Sequence, residues 1–297
     1  MSARQADAPD VQNFDAPRPY KLARVGVRGV KKPVQVHRPG QAPHGVVATF
    51  DMFVDLPANQ KGTHMSRNLE ALADVLDEAI AEETRGLENM CRRLVLRLLE
   101  KHDYAEDADV EATADFFLAR TNPGGKSTVE NYGLIAQAFG RRGEAVTRRV
   151  GVVVTGMSAC PCAMETARHK FAEKGQRPNP DIPFITHNQR NIVRLCIDVP
   201  EDEDVEAEHL VDLCEAALSA PTFELLKRGE EGDLVIQAHH TPRFVEDVVR
   251  EALHLVVKRY GGLGDAVVVQ CSSEAEESIH KHNAYAERRT TLGELRA

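Results

Sequence analysis

The run Val150-Gly-Val-Val-Val-Thr155 is the most strand-like stretch of this chain, and it leads directly into Gly156-Met-Ser-Ala-Cys-Pro-Cys162. A short run rich in β-branched residues and ended by a glycine favours a strand buried in a sheet. Sheet proteins often place reactive side chains where a strand passes into irregular backbone. The stretch therefore predicts both a strand and a candidate site at its end.

The apolar pattern outside this run predicts the other elements. Strands are predicted from residue 21 onward and over residues 47–57, 108–119, 192–199 and 266–271. Helices are predicted over residues 69–80, 87–99, 129–139 (capped by Ser127), 205–218 and 243–260. This order indicates an α+β fold, with sheets that carry helices on one face. We expect a flexible arm at 1–19 and two modules, 20–145 and 146–297.

Composition narrows the class of protein. The 297 residues include 46 acidic and 37 basic side chains, which gives a net charge of -9. A footprint on nucleic acid needs a basic surface, so no nucleic-acid partner is expected. The six cysteines are scattered, unlike those of a small secreted scaffold. Residues 1–19 lack the apolar core of a signal peptide, and no apolar run reaches the ~20 residues that cross a bilayer. We expect a cytoplasmic protein with no membrane partner.

Two stretches supply candidate metal ligands: the cysteine pair at the end of the predicted strand and a polar run before the next strand. Cys160 and Cys162 are separated only by a proline, and either can ligate a metal as a thiolate. The competing interpretation is a pair of small buried apolar residues. Thr186-His-Asn-Gln-Arg190 precedes the next strand, and its histidine is a suitable partner for Cys160 on zinc or ferrous iron. A simple turn is the alternative for this stretch.

Further candidates lie outside these stretches. Lys61-Gly-Thr-His-Met-Ser-Arg67 supplies two cations and a histidine before a predicted helix, which suits an anion site, a capping segment with Ser66 as N-cap, or both. Glu246 stands out in an otherwise apolar helix start. Glu277 and His280 are three residues apart, one turn apart if the segment is helical, a spacing useful for proton transfer. No Walker, Gly-x-Gly-x-x-Gly or Gly-x-Ser-x-Gly motif occurs, which disfavours kinases, dinucleotide dehydrogenases and α/β-hydrolases.

Taken together, these stretches resemble the prokaryotic type IB GTP cyclohydrolases, a family that includes the archaeal iron-dependent enzymes of methanopterin synthesis. The matching pieces span most of the chain in a fixed order: Gly26-Val-Arg-Gly-Val30, Phe53-Val-Asp-Leu-Pro57, Lys61–Arg67, Cys160-Pro-Cys162, His187-Asn-Gln-Arg190, Glu224-Leu-Leu-Lys-Arg228, Arg243–Asp247 and Glu277–Asn283.

The resemblance implies a fold and a set of roles. The fold is α+β, with tandem tunnelling-fold modules whose antiparallel sheets carry helices on one face, in a homotetramer with active sites at subunit interfaces. One divalent ion per site (Fe²⁺, Mn²⁺ or Zn²⁺) would be held by Cys160, His187 and Glu231. The family commonly reads Pro-Asp-Glu where this chain has Gly229-Glu-Glu231, so Glu230 is the alternative carboxylate. Glu246 would anchor the guanine edge.

The remaining implied roles concern proton transfer and the phosphates. Cys160, Cys162, His64, Glu277 and His280 are the candidates for catalysis or substrate contact. A net acidic chain that binds an anionic nucleotide needs a local basic set, which we expect at Lys61, Arg67 and Arg190.

The expected reaction is hydrolytic opening of the imidazole ring of GTP. Lys61-Gly-Thr-His64 is closer to bacterial members, which favours 7,8-dihydroneopterin triphosphate as the product, as in folate synthesis. The long loop before His187 and the ending at 277–295 are closer to archaeal members, which yield the 2′,3′-cyclic phosphate. Two rivals are a nitrile reductase, which would use a cysteine nucleophile and NADPH, and a non-catalytic purine-binding protein with structural zinc. The latter normally needs four protein ligands.

Overall fold

The computed structural model describes residues 9–36, 44–81, 85–176, 179 and 182–297. Nine strands and seven α-helices lie within these ranges, together with a 3₁₀ helix at Val11–Asn13. The strands are β1 (Leu22–Val36), β2 (His44–Leu56), β3 (Asp107–Thr121), β4 (Ser127–Arg141), β5 (Thr147–Ala159), β6 (Asn188–Val199), β7 (Ala220–Pro221), β8 (Val268–Ala275) and β9 (Ala284–Thr291). The helices are α1 (Met65–Ala81), α2 (Leu87–Lys101), α3 (Pro161–Glu173), α4 (Ala207–Ala217), α5 (Arg228–His240), α6 (Val245–Tyr260) and α7 (Leu292–Arg296).

The strands form one sheet in the order β1-β2-β3-β4-β5-β6-β8-β9, and the short β7 pairs with β5. The pairs β1/β2, β2/β3, β5/β7, β6/β8 and β8/β9 are antiparallel. The predicted fold class, tandem tunnelling-fold modules whose antiparallel sheets carry helices on one face, is therefore wrong, because the strands of both predicted modules belong to one nine-stranded sheet. The apolar pattern of a strand indicates which face lies inward, but it does not indicate which strand lies next to it. A strand edge without a neighbour leaves its N–H and C=O groups unpaired, which favours one continuous sheet.

The chain divides into two compact units, residues 1–114 with 136–148, and residues 115–135 with 149–297. The core of the first unit contains Phe50 and Met52 of β2, Leu72 of α1, and Leu94 and Leu98 of α2. The core of the second unit contains Leu195 and Ile197 of β6, Leu210 of α4, and Val248 and Val256 of α6. The limits of the units fall inside β3, β4 and β5, and the predicted module boundaries stay a prediction.

The segment 127–141 corrects one predicted element, because it is strand β4 and not a helix capped by Ser127. The buried side chains recur at every second position: Glu130, Tyr132, Leu134, Ala136 and Ala138. Val129, which fitted a helical pattern, is 63% exposed. A period of two places one face of a strand inward, whereas a helix would bury positions three and four apart.

The other predicted helices are confirmed as α1, α2, α4 and α6. Helices α3 and α5 were not predicted, since α3 buries only Met164 and α5 buries only Leu234 and Ala238, too few for an apolar period to show. Across the described ranges, every helix falls short of the length and apolar character needed to cross a membrane.

Candidate active site

Strand β5 ends at Ala159, and Cys160 is the N-cap of α3. Its Sγ accepts a hydrogen bond from the N–H of Ala163 at 3.4 Å, and Pro161 occupies the first helical position, where no N–H is needed. The N-terminus of a helix carries partial positive charge, which stabilises an anionic group such as a thiolate. Cys162 lies in the first turn of α3 and is exposed. The predicted site at the end of this strand thus contains the Cys160 sulfur at the N-terminus of a helix.

The backbone brings His187 beside Cys160. The N–H of Cys160 donates to the carbonyl of His187 at 3.0 Å, and the hydroxyl of Thr186 donates to the carbonyl of Cys160 at 2.6 Å. Strand β6 begins at the next residue, Asn188. These two hydrogen bonds join the end of β5 to the start of β6, so the two predicted metal ligands share one place in the fold.

The His187 ring is oriented by two neighbours. Its Nδ1 lies 2.8 Å from the amide Oε1 of Gln189 and 3.6 Å from the carboxylate of Glu277. Since an amide oxygen only accepts, Nδ1 carries the proton and Nε2 keeps its lone pair. The Nε2 of Gln189 donates to Ser158 and Glu277 at 3.3 and 3.4 Å. A histidine held in this way presents Nε2 as a metal ligand or as a base.

Gln189 is a residue of the site that the sequence analysis did not identify. It lies inside the polar run Thr186–Arg190, in which the histidine is the more obvious metal ligand. The signal that could have found it is its spacing from His187, because residues two apart at the start of a strand point to the same face. Glu277 was predicted, and its side chain and that of His187 are each only 12% exposed.

The segment after Glu277 is not helical, so Glu277 and His280 are not related by a helical turn. His280 is exposed and stacks on His282, with ring centroids 5.1 Å apart. The segment is tied to β6 by the N–H of Glu276, which donates to the carbonyl of Arg190 at 2.9 Å. Glu277 therefore stands at His187, whereas His280 lies on the exposed part of the loop.

Glu230 and Glu231, the two alternative carboxylate ligands, both lie in the first turn of α5, and the structure distinguishes them. Glu230 Oε2 accepts the N–H of Lys227 at 2.8 Å and lies 3.4 Å from the Nδ2 of Asn122. Its carboxylate is thus engaged in starting the helix. Glu231 is exposed, and within the described chain no hydrogen bond or ion pair engages its carboxylate. Glu231 is the carboxylate that is available to a ligand.

The donor types in this unit suit a divalent ion, since thiolate, imidazole and carboxylate are ligands for zinc, iron or manganese. The main chains of Cys160 and His187 are hydrogen-bonded, and the orientation of the His187 ring leaves Nε2 available. In the ranges that the structure describes, no group of three His, Cys, Asp or Glu side chains has the spacing that holds a metal. Within these ranges the three proposed donors are therefore not gathered at one point.

The predicted anion segment, Lys61–Arg67, lies in the first unit. Lys61 Nζ is 6.0 Å from the ring centroid of Phe14, and the Nε2 of His64 lies 2.9 Å from the carboxylate of Asp10. Arg67 donates to the carbonyl of Lys101 at 3.0 Å, at the end of α2. The predicted N-cap Ser66 is inside α1, which begins at Met65.

A buried polar network lies under this segment, centred on His102. The Nε2 of His102 is 3.1 Å from Asn68 Oδ1, and its Nδ1 is 2.9 Å from the hydroxyl of Tyr104, which also contacts Thr63. Burial, reinforced by the charge of Arg67, lowers the pKa of His102 from 6.5 to about 4. The ring is therefore neutral at physiological pH, with Nε2 as donor to Asn68 and Nδ1 as acceptor from Tyr104.

The last predicted contacts lie on the surface of the second unit. Glu246 is exposed in the first turn of α6 and lines a groove of about 410 Å³ with Arg250, His254 and Arg288. Arg190 is exposed on β6. The described chain shows no contact that joins Glu246 to His187, so their joint action on one substrate stays a prediction.

An apolar pocket of about 490 Å³ includes Thr186, the neighbour of His187. Ile182, Ile185, Val235 and Ile236 line it and are each 43% or more exposed. Single exposed apolar residues are common, but a contiguous group of this kind marks a contact surface.

Comparison with known proteins gives a consistent result. A family model described as type I GTP cyclohydrolase folE2 matches residues 8–286. The GTP cyclohydrolase MptA of Methanothermobacter thermautotrophicus is 41% identical over 301 residues, which cover 97% of this chain and 95% of that protein. The protein of the same name from Methanocaldococcus jannaschii is 38% identical and covers 97% and 96% of the two chains.

Two solved structures share the fold. Uricase from Arthrobacter globiformis superposes with a TM-score of 0.55 at 9% identity, covering 91% of this chain and 94% of that chain. A uricase from Bacillus fastidious gives a TM-score of 0.51 at 10% identity, covering 95% and 96%. At such low identity the likeness concerns the fold alone.

Proposed function

The chain belongs to the type I GTP cyclohydrolase family and is an enzyme that acts on GTP, and from that premise we propose that it forms 7,8-dihydroneopterin 2′,3′-cyclic phosphate. The relatives at about 40% identity over the whole chain are named MptA, which supports the archaeal type of product over the triphosphate that the Lys61–His64 stretch favoured. The triphosphate is the competing outcome of the test below.

One observation carries the assignment of the site: the main chains of Cys160 and His187 are hydrogen-bonded, and the His187 ring is oriented by Gln189 and Glu277. This arrangement is the one expected of a ligand or base whose tautomer must be fixed. It supports cyclohydrolase chemistry over a structural zinc site, which would need four protein ligands.

We propose that Cys160, His187 and Glu231 hold one divalent ion, Fe²⁺, Mn²⁺ or Zn²⁺. Such an ion, when bound, supplies Lewis-acid activation of water at neutral pH. The choice of Glu231 over Glu230 is supported by the engagement of Glu230 in the start of α5. The identity of the native metal is left to reconstitution.

The residues of the chain then have separate tasks. Opening the ring requires addition of water at carbon 8, protonation of a ring nitrogen, and, with a second water, departure of carbon 8 as formate. The ribose then rearranges and closes on the amines with loss of water. Attack of a neighbouring hydroxyl of the pterin side chain on the α-phosphorus, with diphosphate as the leaving group, would complete the cyclic phosphate. We propose that Glu277 holds and moves a proton next to His187, because the two side chains are close and mostly shielded from solvent. Cys162 and His280 are exposed, which suits contact with substrate. His64, paired with Asp10, is a weaker candidate for proton transfer.

Recognition of GTP is proposed to use the two ends of the nucleotide. Glu246 would accept hydrogen bonds from the guanine edge, and Lys61, Arg67 and Arg190 would contact phosphates. Of these cations Arg67 already donates to a backbone carbonyl, so Lys61 and Arg190 have more freedom to bind an anion. We also propose a homotetramer with sites at subunit interfaces, supported by the exposed apolar pocket next to Thr186.

The experiment is anaerobic reconstitution of the metal-free protein with Fe²⁺, Mn²⁺ or Zn²⁺ separately, followed by GTP. We expect a pterin that becomes fluorescent after oxidation. Chromatography with and without a phosphomonoesterase distinguishes the products, because a cyclic phosphate resists that enzyme and a triphosphate does not. Absence of a pterin with all three metals would refute cyclohydrolase activity, and a phosphatase-sensitive product would refute the cyclic phosphate.

A further inference from the structure

The β3–β4 hairpin contacts the segment that leads into α5, through Asn122. This side chain is 4% exposed, and its Oδ1 accepts the N–H of Lys126 at 2.9 Å. The amide is therefore fixed by its own turn, which Gly125 completes with a φ of 77°. Its Nδ2 donates to the carbonyl of Leu225 at 3.0 Å and lies 3.4 Å from the carboxylate of Glu230. One side chain thus contacts both the entrance and the first turn of α5.

Glu130 makes a second contact from the same hairpin. It is 5% exposed, and its Oε2 accepts the N–H of Glu224 at 3.0 Å while its Oε1 accepts the hydroxyl of Thr128 at 2.6 Å. The hairpin therefore holds two consecutive residues, Glu224 by its N–H and Leu225 by its carbonyl. Removing the Glu130 carboxylate or the Asn122 amide would leave these two backbone groups without their partners, which is unfavourable for a buried polar group.

Apolar packing fixes α5 only weakly. Of its 13 residues only Leu234 and Ala238 are buried, in a small cluster with Ala220 that Met157, Phe223 and Leu226 partly cover. Both buried residues lie in the second half of the helix. The hairpin also approaches the first turn closely, because a Cβ at Gly124 would overlap the Glu230 carboxylate. The position of the first turn is therefore determined mainly by the polar contacts of the hairpin.

We propose that Asn122 and Glu130 are positioning residues for Glu231. This rests on the proposed function, in which Glu231 is the third metal ligand. Glu231 follows Glu230, whose carboxylate lies between Asn122 and the N–H of Lys227, and its own N–H donates to the carbonyl of Lys227 at 2.9 Å. Asn122 and Glu130 thus determine where the carboxylate stands without contacting metal or substrate.

The test measures metal affinity in the absence of GTP. Metal-free full-length protein is titrated with Co²⁺, and the visible absorption of the ion reports both its affinity and its ligand geometry. We expect Asn122→Ala and Glu130→Ala to bind Co²⁺ about 10-fold more weakly with an altered spectrum, as is typical when the support of a ligand is lost. Glu130→Gln keeps an acceptor for Glu224 and is expected to restore most of the affinity. Ser127→Ala, an exposed change on the same hairpin, is the matched control and is expected to bind like the wild type.

The outcomes separate the two proposals. Wild-type Co²⁺ affinity and spectrum in folded Asn122→Ala and Glu130→Ala would overturn the positioning role, even if their melting temperatures fall. Should Asn122→Ala fail to fold, the contrast between Glu130→Ala and Glu130→Gln decides. If Glu231→Ala itself binds Co²⁺ like the wild type, the ligand assignment in the proposed function fails instead.

Discussion

The neutral His102 beneath the Lys61–Arg67 segment makes stability depend on pH in a calculable way. The pKa of His102 is about 4 in the folded protein, below its ordinary value of 6.5, which applies to the unfolded chain. Below the ordinary value the unfolded chain binds a proton that the folded chain does not, so the stabilisation is present above pH 6.5 and is lost as pH falls toward 4. At about pH 5 this loss is about 2 kcal/mol relative to pH 8, and near the folded pKa it approaches about 3 kcal/mol.

The assay compares the wild type with His102→Gln, which cannot titrate in this range. Urea unfolding of both proteins is followed by circular dichroism at pH 8, 7, 6 and 5, and the free energy of unfolding is extrapolated to water. We expect the advantage of the wild type to shrink by about 2 kcal/mol between pH 8 and 5, because other titrating groups are common to both proteins and cancel. Parallel curves over this range would show that the ring is not held neutral and would refute the reasoning.

Four further substitutions test the site itself. Cys160→Ala is expected to abolish metal binding and pterin formation while the circular dichroism spectrum is kept; an active variant would exclude Cys160 as a ligand. Gln189→Leu removes the acceptor of the His187 Nδ1 and is expected to weaken Zn²⁺ binding about 10-fold in competition with a chromophoric chelator, and unchanged binding would argue against Gln189 as the orienting group. Glu231→Gln should lose activity without loss of melting temperature, whereas Glu230→Gln should lower stability by about 1 kcal/mol and keep metal, so the reverse result would exchange the two roles.

The sequence predicted the elements whose apolar residues recur with a clear period, and it did not predict the elements that lack such a period. The helices α1, α2, α4 and α6 show that period plainly, whereas α5 buries only Leu234 and Ala238. Segment 127–141 was predicted as a helix because Val129 fits a helical spacing. The segment is a strand, in which every second side chain from Glu130 onward is buried. Which strands pair with each other depends on contacts between residues far apart in the chain. A local apolar pattern therefore could not predict that all the strands form one sheet.

The candidate site shows the same limit. Cys160, His187 and Glu277 were accessible to reasoning because their chemistry is unusual for their surroundings. Gln189 was not, since an amide becomes informative only when its partners are known. The distinction between Glu230 and Glu231 likewise required the contact with Asn122, which comes from a residue 108 positions away in the chain.

Because α5 buries few residues, we expect an effect on the rate at which the metal exchanges, in addition to any effect on its affinity. Cys160 and His187 are joined by a main-chain hydrogen bond between the ends of two sheet strands, whereas the proposed carboxylate donor stands on a helix with two buried residues. Elements with few buried contacts open at low free-energy cost and on short timescales. We therefore expect metal exchange to proceed by excursions of this helix, so that a chelator strips the ion long before the sheet unfolds.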